Sequence, residues 1–131
     1  MIIEVVLADN HATLRRMVCQ LLETDSDIRV VGEAASGQEA IELVKQHQPD
    51  VLVTDLAMPH TGGFEVIQTI TRMGKRPAIL ALSIFTDRQL VDKALQCGAK
   101  GFVGKESIAQ ELVAAVHTVA RGESYLSRAR A

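Results

Sequence analysis

The sequence lacks the features that mark membrane-spanning or disulfide-stapled proteins. It has only two cysteines, Cys19 and Cys97. They lie far apart with no CxxC pair or suitably spaced histidine, so we expect free thiols rather than a disulfide or a zinc site. The longest uncharged apolar stretches are a few residues long, whereas a transmembrane helix needs about 20. No segment is therefore expected to cross a bilayer.

The sequence also has no strong excess of charge, and no secretory signal is expected. The formal net charge is −2, and the only basic cluster is at the tail, formed by Arg121, Arg128 and Arg130. This balance gives no general attraction to nucleic acid, so the chain by itself is not expected to bind DNA tightly. Because a strand-like run begins at once, without the basic and small-residue segments of a secretory signal, we expect a cytoplasmic location.

What the sequence does have is a repeated pattern of apolar runs and helix-like segments. Its 131 residues, 47% hydrophobic and 23% charged, fit one globular domain. Apolar runs bounded by turn or cap residues occur at 2–8, 28–34, 51–54, 78–82 and 100–104, and segments of helical period follow each of them. This alternation predicts an α/β domain, a doubly wound parallel sheet of five strands with five helices on its two faces.

Polar residues collect where these predicted strands end. Asp9 and Asn10 follow the first strand, Asp55 the third, Ser83 the fourth and Lys105 the fifth. Any one of them is explained by helix capping or simple solvation. Together they supply acids, a hydroxyl and an amine at one sheet edge, which is the edge where open parallel sheets bind ligands.

This set of groups suits phosphoryl transfer onto a carboxylate. The oxygens of Asp9, Asn10 and Asp55 are the ligands that Mg²⁺ prefers, and the ion would neutralise charge on an incoming phosphoryl group. The Lys105 ammonium and the Ser83 hydroxyl can each contact a phosphoryl oxygen. The pattern therefore indicates an aspartyl-phosphate site.

The motifs resemble those of the receiver domains of bacterial two-component response regulators, the CheY-like family. The resemblance covers essentially the whole chain and is closest to the NarL/LuxR-type branch. It depends on the pair Asp9-Asn10, on Val-Thr-Asp-Leu-Ala-Met-Pro at 53–59, on Ser83, and on Gly-Ala-Lys-Gly-Phe-Val-Gly-Lys at 98–105. It implies a flavodoxin-like sheet of order 2-1-3-4-5.

The resemblance also implies roles for individual residues. Asp55 would accept a phosphoryl group from a sensor histidine kinase, and Mg²⁺ would be held by Asp9, Asn10, Asp55 and the backbone carbonyl of Ala57. Such a domain is a signalling receiver rather than an enzyme, catalysing at most its own phosphorylation and dephosphorylation.

Other positions would read the phosphorylated state. The resemblance assigns Ser83 and Lys105 to phosphoryl contacts, Phe102 to the switch, and Ile84 to control of access. Phe102 lacks a hydroxyl, so its switching would depend on packing alone. Ile84 is large and would slow both entry and hydrolysis.

The resemblance extends to the organisation of the chain. It implies a receiver domain over 1–122, and over 123–131 the start of a linker toward a C-terminal helix-turn-helix domain that this chain does not contain. Transcription regulation through that domain, with a possible homodimer, is the implied output.

Asn10 departs from the family, which most often has a second aspartate there. Losing one carboxylate lowers the charge of the site and should weaken Mg²⁺ binding, although an Asn carbonyl oxygen can still coordinate. The alternative interpretation is therefore a pseudo-receiver that acts as a phosphorylation-independent interaction or dimerisation module. Retention of Asp55, Ser83 and Lys105 together favours phosphorylation.

Other classes of phosphate chemistry fit poorly. Dehalogenase-like phosphatases need a second aspartate where this chain has Ala57. A phosphate loop fails at Ala99 and at Glu106. His11 and His60 lie near the predicted site, and imidazoles in such loops are more often caps or surface residues than ligands.

Overall fold

The computed structural model describes residues 1–74 and 76–127. Residues 128–131, which include the tail cations Arg128 and Arg130, lie outside the described residues. The strands are β1 (Ile3–Ala8), β2 (Ile28–Ala34), β3 (Val51–Asp55), β4 (Ala78–Ser83), β5 (Gly101–Gly104) and β6 (Tyr125–Leu126). The helices are α1 (Ala12–Leu22), α2 (Gly37–His47), α3 (Gly63–Met73), α4 (Arg88–Cys97) and α5 (Ile108–Ala120), the last preceded by the short 3₁₀ turn Lys105–Ser107. Within the described ranges, no helix is long and apolar enough to span a membrane.

All strand pairs in the sheet are parallel, in the order β2-β1-β3-β4-β5-β6. The predicted order holds for β1 to β5, but the prediction of five strands is wrong because β6 adds a sixth at the β5 edge. The backbone N–H of Tyr125 donates to the carbonyl of Lys100, and that of Ser127 donates to the carbonyl of Phe102. A strand of two residues is too short to show an alternating pattern, so only its tertiary pairing reveals it.

Two apolar layers cover the sheet. One layer, on the side of α2, α3 and α4, includes Leu52, Ile67 and Phe102. The other, on the side of α1 and α5, includes Val53 and Leu112. Every residue of β3 is buried, as expected for a central parallel strand with helices on both faces. Asp55 is therefore a carboxylate at the end of an otherwise apolar strand.

Two local features set how chain segments leave the sheet. The predicted capping box at α2 is present: the Ser36 hydroxyl accepts from the Glu39 N–H at 3.2 Å, and the Glu39 carboxylate accepts from the Ala35 N–H at 2.7 Å. At α3, a Cβ on Gly63 would lie 2.5 Å from the Cα of Leu56. Only glycine allows the β3–α3 loop to fold back this closely on the end of β3.

The two cysteines are free, as predicted. Cys19 is buried on α1 against the sheet. Burial, with smaller contributions from Glu33 and Glu23, raises the pKa of the Cys19 thiol. Raised pKa and burial together make this thiol unreactive.

Candidate functional site

Three charged side chains meet at the carboxyl ends of β1, β3 and β5. Lys105 Nζ donates to Asp9 Oδ2 at 3.1 Å and to Asp55 Oδ2 at 3.0 Å. Both carboxylate side chains are only 2% exposed, and that of Lys105 is 11% exposed. The structure thus brings together two acids and an amine that lie far apart in the sequence, as their positions at predicted strand ends indicated.

The charge state of Lys105 follows from competing effects. Burial by itself lowers the pKa of the ammonium, but the hydrogen bonds and negative charges of Asp55 and then Asp9 outweigh burial, so the pKa is raised above its usual value. A raised lysine pKa keeps the side chain charged at neutral pH. One ammonium therefore offsets only part of the charge of the two buried carboxylates, and the cluster keeps a formal negative charge.

The second oxygen of each carboxylate is held by the backbone two residues further along. Asp55 Oδ1 accepts from the N–H of Ala57 at 3.0 Å, and Asp9 Oδ1 accepts from the N–H of His11 at 2.8 Å. These are Asx-type turns, which fix the side chain by a local hydrogen bond. Both carboxylates are therefore oriented before any ligand arrives.

Arg15 supports the β1–α1 loop, a role that sequence reasoning missed. Its guanidinium donates to the carbonyl oxygen of Asp9 at 2.7 Å and to Glu33 Oε1 at 3.2 Å. One signal was available: Arg15 lies three and seven residues before the buried Val18 and Leu22, which places it on the inner face of α1.

A metal ion fits the donor set at this edge. Ligand atoms of Asp9, His11 and Asp55 all lie within 4.8 Å of one another. The two carboxylates match the oxygen preference of Mg²⁺. The predicted ligand Asn10 follows Asp9 and has an exposed side chain, and its coordination, like that of the Ala57 carbonyl, stays a prediction.

The two histidines near the site differ in their surroundings. His11 is the N-cap residue of α1, but its side chain makes no capping hydrogen bond. Its Nδ1 lies 3.4 Å from Asp9 Oδ1. His60 is exposed, with a backbone φ of 64° in the β3–α3 loop.

The remaining predicted site residues, Ser83, Ile84 and Phe102, differ in their position and burial. Ser83 is buried at the end of β4, and its Oγ accepts from the N–H of Phe85 at 3.0 Å. A hydroxyl that accepts one bond can still donate its own hydrogen. Ile84 follows it and is exposed, whereas Phe102 is fully buried in the apolar layer under α4. Phe102 is thus placed in the core rather than among the polar groups.

A doubly wound parallel fold with two acids and a lysine at its strand ends defines the class of the protein as a response regulator receiver domain. The chain matches the family described as "Response regulator receiver domain" over residues 5–117 and belongs to that family.

Two named regulators are similar to nearly the whole of this chain. The chain is 34% identical over 125 residues to the response regulator UvrY of Escherichia coli (strain K12), covering 95% of this chain and 57% of UvrY. It is 38% identical over 124 residues to the oxygen regulatory protein NreC of Staphylococcus carnosus, covering 94% of this chain and 57% of NreC. The chain thus spans little more than half the length of these relatives.

Solved structures of response regulators share the fold of this chain. The signal receiver domain of the response regulator NarL from Mycobacterium tuberculosis superposes with a TM-score of 0.89 at 36% identity, covering 93% of this chain and 98% of that one. A LuxR-family response regulator from Aurantimonas sp. SI85-9A1 superposes with a TM-score of 0.94 at 31% identity, covering 98% of this chain and 92% of that one.

Proposed function

We propose that Asp55 is the phosphoacceptor of this receiver domain, taking its phosphoryl group from the phosphohistidine of a sensor histidine kinase. The observation that carries the proposal is the buried Asp55 carboxylate, which shares one lysine ammonium with Asp9 at 3.0 and 3.1 Å. In the transfer, an Asp55 oxygen bonds to phosphorus while the phosphorus–nitrogen bond of the donor breaks. The imidazole nitrogen keeps the electron pair and takes up a proton.

The site residues prepare this transfer by position and charge. Mg²⁺ held by Asp9 and Asp55, with Asn10 and the Ala57 carbonyl as further ligands, would neutralise charge on the transferring group. Asp9 would keep such an ion beside the acceptor, and the Ala57 N–H orients the Asp55 carboxylate. Because Asn10 is neutral, the ion is bound more weakly than by a second aspartate.

Lys105 and Ser83 then detect the phosphorylated state. A phosphoryl group on Asp55 adds charge and acceptor oxygens, so Lys105 turns from the carboxylate pair to a phosphoryl oxygen and Ser83 donates its hydroxyl to another. Lys105 follows β5 and Ser83 ends β4, so their movement changes the surface formed by α4, β5 and α5. Ile84, exposed beside Ser83, limits access of water and slows loss of the phosphoryl group.

The output we propose is regulation of transcription, in the cytoplasm, through a DNA-binding helix-turn-helix domain that is separate from the 131 residues of this chain. The support is the relative UhpA of Salmonella typhimurium, a transcriptional regulatory protein, which is 38% identical over 125 residues and of which this chain covers 62%. Under this proposal the domain itself catalyses no more than its own phosphorylation and dephosphorylation. A homodimer in the active state stays a prediction.

Intact-mass spectrometry tests the phosphoacceptor directly. The chain is incubated with acetyl phosphate and Mg²⁺, in parallel with the Asp55→Asn variant. We expect a phosphoryl adduct on the original chain and none on the variant. An adduct of equal yield on Asp55→Asn would assign the acceptor elsewhere. If neither protein is labelled at saturating Mg²⁺, the domain is better described as an interaction module that works without phosphorylation.

A further inference from the structure

Strand β6 is the element to which neither the site nor the proposed phosphoryl transfer gives a role. Its residues Tyr125 and Leu126 pair in parallel with Gly101 and Phe102 of β5. Ser127, which follows the strand, is polar and yet only 5% exposed. The chain beyond α5 is therefore not left in solvent but is laid along the outer edge of β5.

The stretch of chain that runs from β5 into α5 holds β6 from two sides. On the backbone side, the carbonyls of Lys100 and Phe102 accept from the N–H groups of Tyr125 and Ser127 at 3.1 and 2.9 Å. On the side-chain side, the carboxylate of Glu111 accepts from the hydroxyls of the same two residues at 2.8 and 3.2 Å. Both residues thus have one backbone bond to the β5 side and one side-chain bond to α5.

Gly101 allows β6 to approach β5 this closely. A Cβ at this position would lie 2.9 Å from the carbonyl oxygen of Tyr125 and 2.8 Å from Leu80 Cδ1. Non-bonded carbon atoms pack at about 3.5–4.0 Å, so a larger residue at position 101 would push β6 away or shift the core. The edge of β5 is thus shaped to receive the strand.

Lys105 lies in the middle of the stretch that carries these bonds. It follows β5 directly, three residues after Phe102 and six before Glu111. Its ammonium is bound to the two buried carboxylates of the site. Because only a short 3₁₀ turn separates β5 from α5, a shift of Lys105 is passed to the groups that hold β6 on both sides.

We propose that the position of Lys105 controls the pairing of β6 with β5, so that phosphorylation of Asp55 loosens β6. This inference rests on the proposed function, in which Lys105 leaves the carboxylate pair for a phosphoryl oxygen. The bonds of β6 fit the arrangement in which Lys105 lies between the carboxylates, so they fit less well once it has moved. Release of β6 then passes the signal to the chain that follows Ser127.

Amide hydrogen exchange measured by NMR tests the release. The chain is compared with and without beryllofluoride, a non-covalent mimic of the phosphoryl group, at saturating Mg²⁺. We expect exchange at Tyr125 and Ser127 to become at least about fivefold faster, the low end of typical coupling between two sites. The amides of β3 and of β2, the opposite edge strand, should not exchange faster, and Asp55→Asn should show no change in β6. Unchanged or slower exchange in β6 of the original chain overturns the inference.

The coupling must also act in reverse, because linkage between two equilibria is reciprocal. Glu111→Ala removes the side-chain bonds of β6 and should therefore raise the affinity for beryllofluoride, by up to the factor seen in exchange. Gln110→Ala, at an exposed position of the same helix, is the control and should leave the affinity unchanged. A Glu111→Ala variant in which β6 exchanges faster but the affinity does not rise overturns the inference.

Lys105→Met separates this inference from the phosphoacceptor proposal, because it removes the bonds to the carboxylates without any phosphoryl group. We expect faster exchange at Tyr125 and Ser127 in this variant. Local opening of an edge strand does not require unfolding of the whole domain, so a rise confined to the amides of β3 overturns the inference. If acetyl phosphate labels Asp55 but Lys105→Met leaves β6 unchanged, only the inference fails. If Lys105→Met loosens β6 while no labelling occurs, the control by Lys105 stands and the phosphoacceptor proposal fails.

Discussion

At the scale of single residues, Lys105 is the counter-charge on which the site depends. Two carboxylates with 2% exposed side chains face each other across its ammonium, and removing one partner of a buried ion pair leaves an uncompensated charge. We expect Lys105→Met to lower the free energy of unfolding by about 3 kcal/mol at neutral pH. Urea denaturation followed by circular dichroism measures this loss.

Two further variants make the Lys105 prediction specific. Lys100→Met removes an exposed lysine at the other end of β5 and should change stability by less than about 1 kcal/mol. The double variant Lys105→Met with Asp55→Asn should recover part of the loss, because only one buried carboxylate then remains. Equal losses for Lys105→Met and Lys100→Met would contradict the prediction.

Arg15 and its neighbour Arg16 provide a matched pair. Both contact Glu33, but Arg15 is 15% exposed and also holds the carbonyl of Asp9, whereas Arg16 is 60% exposed. We expect Arg15→Met to lower the free energy of unfolding by about 2 kcal/mol, and Arg16→Met by less than about 1 kcal/mol. Chemical denaturation of the two variants side by side checks the difference, and a reversed ranking would rule out this role for Arg15.

From the sequence alone, the charged residues of the site were predicted better than the contacts that hold the surrounding loop in place. Asp9, Asp55 and Lys105 were found because parallel strands bring their carboxyl ends to one edge, a rule that needs only the strand positions. The contacts of Arg15 and the position of His11 depend on how the β1–α1 loop turns over the sheet. The helical spacing of Arg15 indicated the inner face of α1 but not its partners, so its role was missed. His11, the N-cap residue of α1 with a side chain that is 67% exposed, is the cap or surface residue that was expected.

At the scale of elements, β6 is paired with β5 and is also contacted by one side chain of α5. Glu111 accepts from the Tyr125 hydroxyl at 2.8 Å through Oε1 and from the Ser127 hydroxyl at 3.2 Å through Oε2. We expect Glu111→Ala to speed amide hydrogen exchange at Tyr125 and Ser127, while the amides of β3 and β4 keep their protection. Gln110→Ala, an exposed position on the same helix, is the control. Unchanged exchange in β6 would show that the Glu111 side chain does not hold the strand.

The elements found from the sequence share a strong local signal. β1 to β5 are largely apolar runs, interrupted by Glu4 in β1 and by Arg29 and Glu33 in β2. The start of α2 is marked by Ser36 and Glu39. β6 has no such signal, because its two residues are placed by Lys100, Phe102 and Glu111, which lie outside its own segment. Short edge strands of this kind are set by tertiary contacts rather than by periodicity.

The contact between Asp25 of the α1–β2 loop and His117 of α5 predicts that the stability of the fold depends on pH. Asp25 accepts from the N–H of Asp27 and contacts His117 Nε2 at 2.9 Å. The backbone hydrogen bond first, and then the bond to His117, hold the pKa of Asp25 below its usual 3.8. A carboxyl with a lowered folded pKa stabilises the fold above the usual pKa and loses this contribution as pH falls through the folded value.

Asp25→Asn tests this dependence. Above about pH 4 the variant should be less stable than the original chain, and the gap should narrow as pH falls further, because the original carboxyl becomes protonated. Urea unfolding at a series of pH values measures both proteins. A gap that stays constant through the acid range would show that the charge of Asp25 contributes nothing.

At the scale of the whole molecule, the proposed metal binding would be coupled to folding stability through the charge of the site. An ion that binds only the folded state stabilises that state, and the stabilisation grows with the ratio of the free ion concentration to its Kd. At 100 times Kd it is about 2.7 kcal/mol. The two buried carboxylates would repel each other less if an ion were bound by Asp9 and Asp55. Mg²⁺ should therefore raise the unfolding temperature of the original chain, and Asp55→Asn should abolish most of this rise.

Asn10→Asp should separate the effect of charge on stability without metal from its effect on Mg²⁺ binding. Without metal, the added carboxylate repels Asp9 and Asp55, so stability should fall by up to about 1 kcal/mol at this exposed position. With Mg²⁺, the same charge strengthens binding, so the rise in unfolding temperature should exceed that of the original chain. Gln20→Glu adds an equal charge at an exposed position of α1 away from the site and should leave the Mg²⁺ effect unchanged. Thermal unfolding of the three proteins at matched Mg²⁺ concentrations measures these effects. An equal Mg²⁺ effect in Asn10→Asp and the original chain would mean that position 10 does not face the ion.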